Sequence, residues 1–538
     1  MKKTLIIIFC LCLSLGTFAQ QAGAPPKNWF NLDPELDSIL GVSTERAYTY
    51  LKGRPSKKVI VAVIDSGIDI EHEDLKGVIW VNSDEIPGNG IDDDNNGYVD
   101  DIHGWNFIGG KDGRNVGKDT YELTREYKRL KPKYEGVTAE TVEKKNKEEF
   151  EYWQQVQKDF EKTYNESNQQ AMMLGNIDQQ IRRFNKLFEA YLNDDEITFE
   201  DLEKVNSEDQ VISQGKTVLN SIFQMTDQSL TLDTLIYFLS EDMKRIMNET
   251  QYAYSLDFNP REIVGDDPNR LDEVGYGNND VIGKGTDNFH GTHVSGIIAA
   301  MRGNGLGIDG VAENVEIMAI RAVPDGDERD KDVANAIRYA VDNGAQIINM
   351  SFGKSYSPHT EYVYEAIEYA AEKGVLLVHA AGNSAENIDE ASNYPNDKFG
   401  RKKDWPNWIE VGASAWGSDS NYVGSFSNYG ENSVDVFAPG VAIYSLGPNN
   451  EYRNAQGTSM ASPVTAGVAA LLLSYFPDLS AEQVKDILMK TARGVDNKVI
   501  MPGTGEEVKF KKLSVSGGII NAFEAVKRAD SMKIKSRN

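Results

Sequence analysis

Six consecutive apolar residues, VIVAVI at 59–64, most of them β-branched, constrain this chain more than any other stretch. A strand with one face in water alternates apolar and polar residues. An unbroken run therefore belongs to a strand covered on both faces, as in a parallel sheet. Comparable runs recur at 315–323, 345–351 and 374–381. Between them lie helix-forming stretches at 332–342 and 361–373, each followed by a glycine, Gly344 or Gly374, where a C-cap belongs. Strand and helix alternating in this way predict a three-layer α/β/α fold with a mostly parallel central sheet. Two further helices, starting near His290 and Ser459, are apolar almost all round (VSGIIAAM and VTAGVAALLL) and are expected at the centre of the fold.

Residues 111–280 break the alternation. They are polar and helix-forming, with apolar residues at Phe150, Trp153, Val156, Phe160 and Tyr164, then at Ile177, Ile181, Phe184, Phe188 and Tyr191. These spacings of three and four predict one seam on each of two helices joined near Gly175, an antiparallel hairpin inserted into the α/β fold. A single long helix or a partly disordered linker is the alternative. The segment holds 22 basic and 35 acidic side chains, nearly half of a net charge of −27 in under a third of the 538 residues. So acidic a balance argues against nucleic acid as a partner, because polyanions are bound by clustered Lys and Arg.

The N-terminus reads Met1-Lys2-Lys3, an apolar run over 5–15, then Thr17-Phe18-Ala19. This is the pattern of a secretory signal peptide over 1–19, and its apolar run falls short of the roughly 20 residues that span a bilayer. Both cysteines, Cys10 and Cys12, lie inside it. The mature protein is thus expected in the periplasm or outside the cell, with no stable membrane anchor and no disulfide. Core packing and bound metal are left to stabilise it.

Six histidines make few candidates for a general base near neutral pH. His290, in HGTHVSG, stands at the expected start of a buried helix, where the dipole favours the neutral imidazole; His293 lies a turn deeper. Asp65 follows directly on VIVAVI, at the edge of a parallel sheet where ligands bind. Ser459, in GTSMASP, opens the second buried helix behind Gly457. Taken singly, these are a capping or core histidine, a turn aspartate and an N-cap serine. Their order, Asp then His then Ser, each at an element boundary on one sheet edge, points to nucleophilic catalysis. A second constellation, DDDNNGYVDD at 92–101, has the D-x-D-x-N-G spacing of a calcium loop. Asp92, Asp94 and Asn96 would supply oxygens, Tyr98 a carbonyl and Asp100 a later ligand. His103 stands where an EF-hand loop has its bidentate Glu, and a metal-free polar turn is the alternative.

Beyond these residues the chain resembles the subtilisin-like serine peptidases. The matching stretches are VAVIDSGID at 61–69, HGTHVSGIIAA at 290–300, INMSFG at 348–353, HAAGN at 379–383, VDVFAPG at 434–440 and GTSMASPVTAG at 457–467. The resemblance implies that Asp65 orients His290, that His290 deprotonates Ser459, and that Ser459 attacks a peptide carbonyl. It also implies that Asn383 donates to the oxyanion from the Gly382 turn, a contribution worth about a hundredfold to a thousandfold in subtilisin. Ser351, Phe352 and Gly353, with Gly382, would receive an extended substrate as an added strand. Phe352 either narrows a side-chain pocket or packs in the core.

The expected organisation is a signal peptide at 1–19, peptidase sequence at 20–110 and 281–527, the helical insertion at 111–280 and a tail at 528–538. Asp65 and His290 stand 225 residues apart, against about thirty in the family pattern. Only about forty residues separate the signal peptide from Asp65, which leaves no room for the usual N-terminal prodomain. The insertion either gates the cleft or decorates the periphery and binds a partner. The function this implies is a secreted serine endopeptidase acting on proteins or peptides. A peptidase or transpeptidase dedicated to one partner, and a catalytically silent scaffold, are the alternatives.

Overall fold

The computed structural model describes residues 25–537 apart from 195, 226–229, 399–404 and 418–420. Residues 1–19, the expected signal peptide with Cys10 and Cys12, lie outside the described residues. The described chain divides into two compact units. One bears the sheet and runs from Pro25 to Glu122 and again from Asn259 onward; the other comprises Leu123–Phe258.

Seven strands form the body of the sheet: β1 (Val59–Asp65), β2 (Gly104–Asn106), β3 (Val315–Arg321), β4 (Ile347–Met350), β5 (Leu376–Ala380), β6 (Trp408–Ser414) and β7 (Val436–Pro439). With the short strands Arg493–Gly494 and Gly518–Ile519 it is nine-stranded. The order is Arg493–Gly494, Gly518–Ile519, β7, β6, β5, β4, β1, β3, β2. All pairings are parallel except the one between the two short strands. The continuous apolar runs are explained by two cores. Val59, Val61 and Val63 enter one, while Ala62 and Ile64 enter the other, as the two-residue period of a strand requires. Helices α1 (Phe289–Ala299) and α4 (Thr458–Tyr475) fill the first core; α2 (Asp330–Asp342) and α3 (Thr360–Glu372) cover the second face. The result is the three-layer α/β/α fold expected. Helix α4 is the one described helix long and apolar enough to cross a membrane, and it is buried in the core instead. The last helix, Ala522–Arg537, runs through the boundary expected at 527/528 and buries Ala525, Val526 and Ala529 in the first core.

In the helical unit, 147–192 is a single helix of 46 residues, and the expected hairpin at Gly175 does not form. Both seams exist, but on one rod. Its first half buries Phe150, Trp153 and Phe160 against Tyr127 and Tyr134 of the helix Glu122–Tyr134. Its second half buries Leu174, Ile181, Phe184 and Phe188 in a core shared with helices Gln210–Met225 and Leu232–Asn248. A mid-helix glycine costs about 1 kcal/mol, too little to break a helix held on both sides of it by packing.

Candidate active site

Three element boundaries meet at the C-terminal edge of the sheet. Asp65 ends β1 and is buried; its Oδ1 accepts from the Ser66 N–H at 2.7 Å and from His290 Nδ1 at 2.7 Å. His290 is the second residue of α1, with 37% of its side chain exposed. Burial opposes charge on this ring, but the Asp65 carboxylate outweighs it and holds the imidazole pKa above the ordinary 6.5. With Nδ1 bound to Asp65, the neutral ring has Nε2 free to accept a proton. His293 is different: its Nε2 faces the carbonyls of Ile443 and Arg453, each at 3.1 Å, and burial pushes its pKa down to about 4. It is a neutral core residue.

Arg321 was not singled out from the sequence. It pairs in register with Asp65 across β1 and β3, and from its buried guanidinium Nε donates to the Ser66 carbonyl at 2.7 Å. Its other nitrogens reach Val116 O at 2.6 Å, Thr286 Oγ1 at 3.0 Å and Asn106 Oδ1 at 3.2 Å. Burial lowers its pKa to about 10. An arginine inside the apolar run at 315–323 was the available signal, since a buried charge needs a reason to be there.

Ser459 sits in the first turn of α4. Its Oγ donates to the Ser351 carbonyl at 3.2 Å, and Ser351 Oγ donates back to Ser459 O at 3.0 Å. Ser459 and His290 do not hydrogen-bond in this state. Asn383 is exposed, with Oδ1 accepting from the Thr458 N–H at 2.9 Å and from Thr458 Oγ1 at 3.0 Å. The two donors fix the amide, and Nδ2 has no hydrogen-bond partner among the described residues. The turn beneath it requires Gly382, at φ 101°, because a Cβ there would fall 2.4 Å from Asn428 Nδ2. Asn428 donates to Ala381 O and accepts from the Ser384 and Glu386 N–H groups. Thr458 and Asn428 are therefore parts of the site that sequence reasoning missed; the first lay inside the quoted GTSMASP motif. Ser351 is buried, Gly353 is exposed, and Phe352 is half-buried against the second core with its ring edge-on to His379.

The acidic loop has its own order. Carboxylate oxygens of Glu85, Asp92 and Asp94 lie within 4.8 Å of one another. Asp92 and Asp94 are thus brought together, with Glu85, which sequence reasoning missed, as the third. Asn96 Oδ1 accepts from the Tyr98 N–H while its Nδ2 donates to Asp94 and Asp101. The Tyr98 ring packs among Trp105, Phe107 and Tyr339. Asp100 is engaged elsewhere, its carboxylate accepting from the Gly88, Asn89 and Gly90 N–H groups at 2.7 to 3.2 Å.

A parallel sheet that presents an Asp–His pair, a helix-start serine and a fixed amide donor on one edge has the groups that serine peptidases use. The chain belongs to the subtilase family, whose sequence pattern matches residues 56–510. It is 39% identical over 241 residues to the thermophilic serine proteinase of Bacillus sp. (strain AK1), covering 44% of this chain and 52% of that protein. To subtilisin DY of Bacillus licheniformis it is 40% identical over 207 residues, or 38% of this chain and 70% of that one. To thermitase of Thermoactinomyces vulgaris it is 37% identical over 240 residues, 44% and 75% respectively. The chain thus spans about half the length of the first of these relatives.

Proposed function

We propose that this chain is an exported serine endopeptidase in which Asp65, His290 and Ser459 form the catalytic triad. The observation that carries the reading is the 2.7 Å bond from His290 Nδ1 to the buried Asp65, at the sheet edge where Ser459 opens α4. A bound peptide carbonyl draws Ser459 Oγ from the Ser351 carbonyl toward His290 Nε2, which takes its proton as Oγ attacks. Charge developing on the carbonyl oxygen is met by Asn383 Nδ2 and by the Ser459 N–H, a first-turn donor with no acceptor inside the helix. The imidazolium then protonates the leaving amine, and water releases the acyl group by the reverse path. Gly353, whose backbone groups have no partner among the described residues, offers them to the substrate as an added strand. Residues 1–19 would direct export to the periplasm or beyond. Purified protein should cleave unfolded casein, and the Ser459→Ala variant should not; cleavage surviving the substitution would refute the mechanism.

Subtilases are generally calcium-binding, and the acidic loop fits a hard cation: its oxygens are carboxylates, and three of them converge at separations that repel without a counter-charge. Glu85, Asp92 and Asp94 would hold calcium, which supplies charge neutralisation and loop rigidity. Chelator should lower the melting temperature and added calcium restore it. Coincident melts with and without chelator would count against the site.

A further inference from the structure

A substrate strand is presented only as well as its receiving edge is held. The segment Ser351–Gly353 leaves the sheet after β4 ends at Met350, so ladder bonds do not fix it. Gly353 is exposed, and its N–H and C=O make no hydrogen bond within the described chain. Two buried cations grip the segment on either side of that glycine.

The first is His379 on β5. Its Nε2 lies 2.8 Å from the Phe352 carbonyl, and its Nδ1 lies 3.0 Å from both oxygens of Glu410, its neighbour in register on β6. Glu410 also receives the Trp408 indole N–H at 2.9 Å. Both ring nitrogens face oxygens, an arrangement that favours the doubly protonated imidazolium. Burial opposes that charge; Glu410 outweighs it and keeps the pKa raised. The second cation is Lys354. Its backbone N–H and C=O pair with Tyr394 at 2.9 and 2.8 Å. Its buried ammonium donates at 2.8 Å to Glu122, to Asp330 and to the Glu328 carbonyl. Successive carbonyls of an extended chain point to opposite sides. With Phe352 O drawn inward by His379, the free groups of Gly353 are turned outward.

Buried ion pairs are a weak source of stability compared with apolar packing, so two of them behind three residues need another reason to be present. We propose that His379 and Lys354 are positioning residues that hold Ser351–Gly353 in register for the main chain of an extended peptide substrate. The inference rests on the peptidase function proposed above. Neither residue touches the reacting atoms. Their effect should therefore depend on substrate length.

The test compares a single-residue ester, too short to pair with Gly353, with a peptide of about six residues, each rate normalised to active sites titrated with a fluorophosphonate. In His379→Leu and Lys354→Met, KM for the peptide should rise about tenfold, the loss expected for a hydrogen bond to a charged group, with ester turnover per titrated site changed far less. His379→Gln, which keeps a donor toward Phe352 O, should recover much of the loss. Should the stranded carboxylates prevent folding, His379→Leu with Glu410→Gln, and Lys354→Met with Glu122→Gln, carry the same comparison. Equal loss on ester and peptide, or no change on either, would overturn the positioning role alone. Wild-type protein inert toward the ester would overturn the peptidase reading, and the inference with it.

Discussion

In the proposed mechanism His290 manages two bonds, one fixed and one formed with substrate. Asp65 already occupies Nδ1 at 2.7 Å, whereas Ser459 Oγ rests on the Ser351 carbonyl, from which it would swing to Nε2 when substrate arrives. Catalysis needs the neutral ring, and Asp65 raises its pKa, so kcat/KM should climb through an acid limb centred above 6.5. In Asp65→Asn the limb should move to lower pH while turnover falls about ten-thousandfold; a limb that stays in place would contradict the pairing. The sign for stability follows from the same raised value. The pair contributes stability fully below the unfolded value of about 6.5 and loses it as pH rises through the folded one. At this scale the places of Asp65, His290, Ser459 and Asn383 at element boundaries of one sheet edge were legible, because each lies in a local motif. Arg321, Asn428 and Glu85 were not. Arg321 acquires its place only when β1 and β3, some 250 residues apart, pair in register, and the partners of Asn428 are backbone groups that exist only once the Gly382 turn has formed.

Among the elements, the strands were the easiest to read, because a run buried on two faces has no other home than a covered parallel sheet. The 147–192 helix was misread for a complementary reason: periodicity reports an apolar face but not what it packs against. One rod with two successive partners gives the same spacings as two helices packed on each other. The two glycines of this unit's long helices should therefore respond oppositely to alanine. A Cβ at Gly175 meets nothing within 4 Å, so Gly175→Ala should stabilise the helical unit by about 0.5–1 kcal/mol. At Gly215 a Cβ would lie 2.7 Å from Phe184 and 3.0 Å from Phe188, so Gly215→Ala should destabilise it by about 1–3 kcal/mol. Hydrogen exchange at amides of 147–192 reads both, and equal responses would contradict the single packed helix.

For the whole molecule, the net charge of −27 divides between structure and surface. Part of the acidic excess sits in the converging carboxylates of the 85–94 loop, whereas inside the sheet-bearing unit Asp266, Asp332 and Glu273 are met by the buried cations Arg261 and Lys331, which the net figure already counts. That unit brings Asp65, His290, Asn383 and Ser459 to one edge although the chain between the first two runs through a second compact unit. The proposed mechanism makes Ser459 the nucleophile at this edge. Fluorophosphonate labelling followed by mass mapping of the adduct should show stoichiometric modification at Ser459, lost in His290→Ala and in Ser459→Ala; an unlabelled protein, or an adduct that persists on another residue in Ser459→Ala, would contradict it.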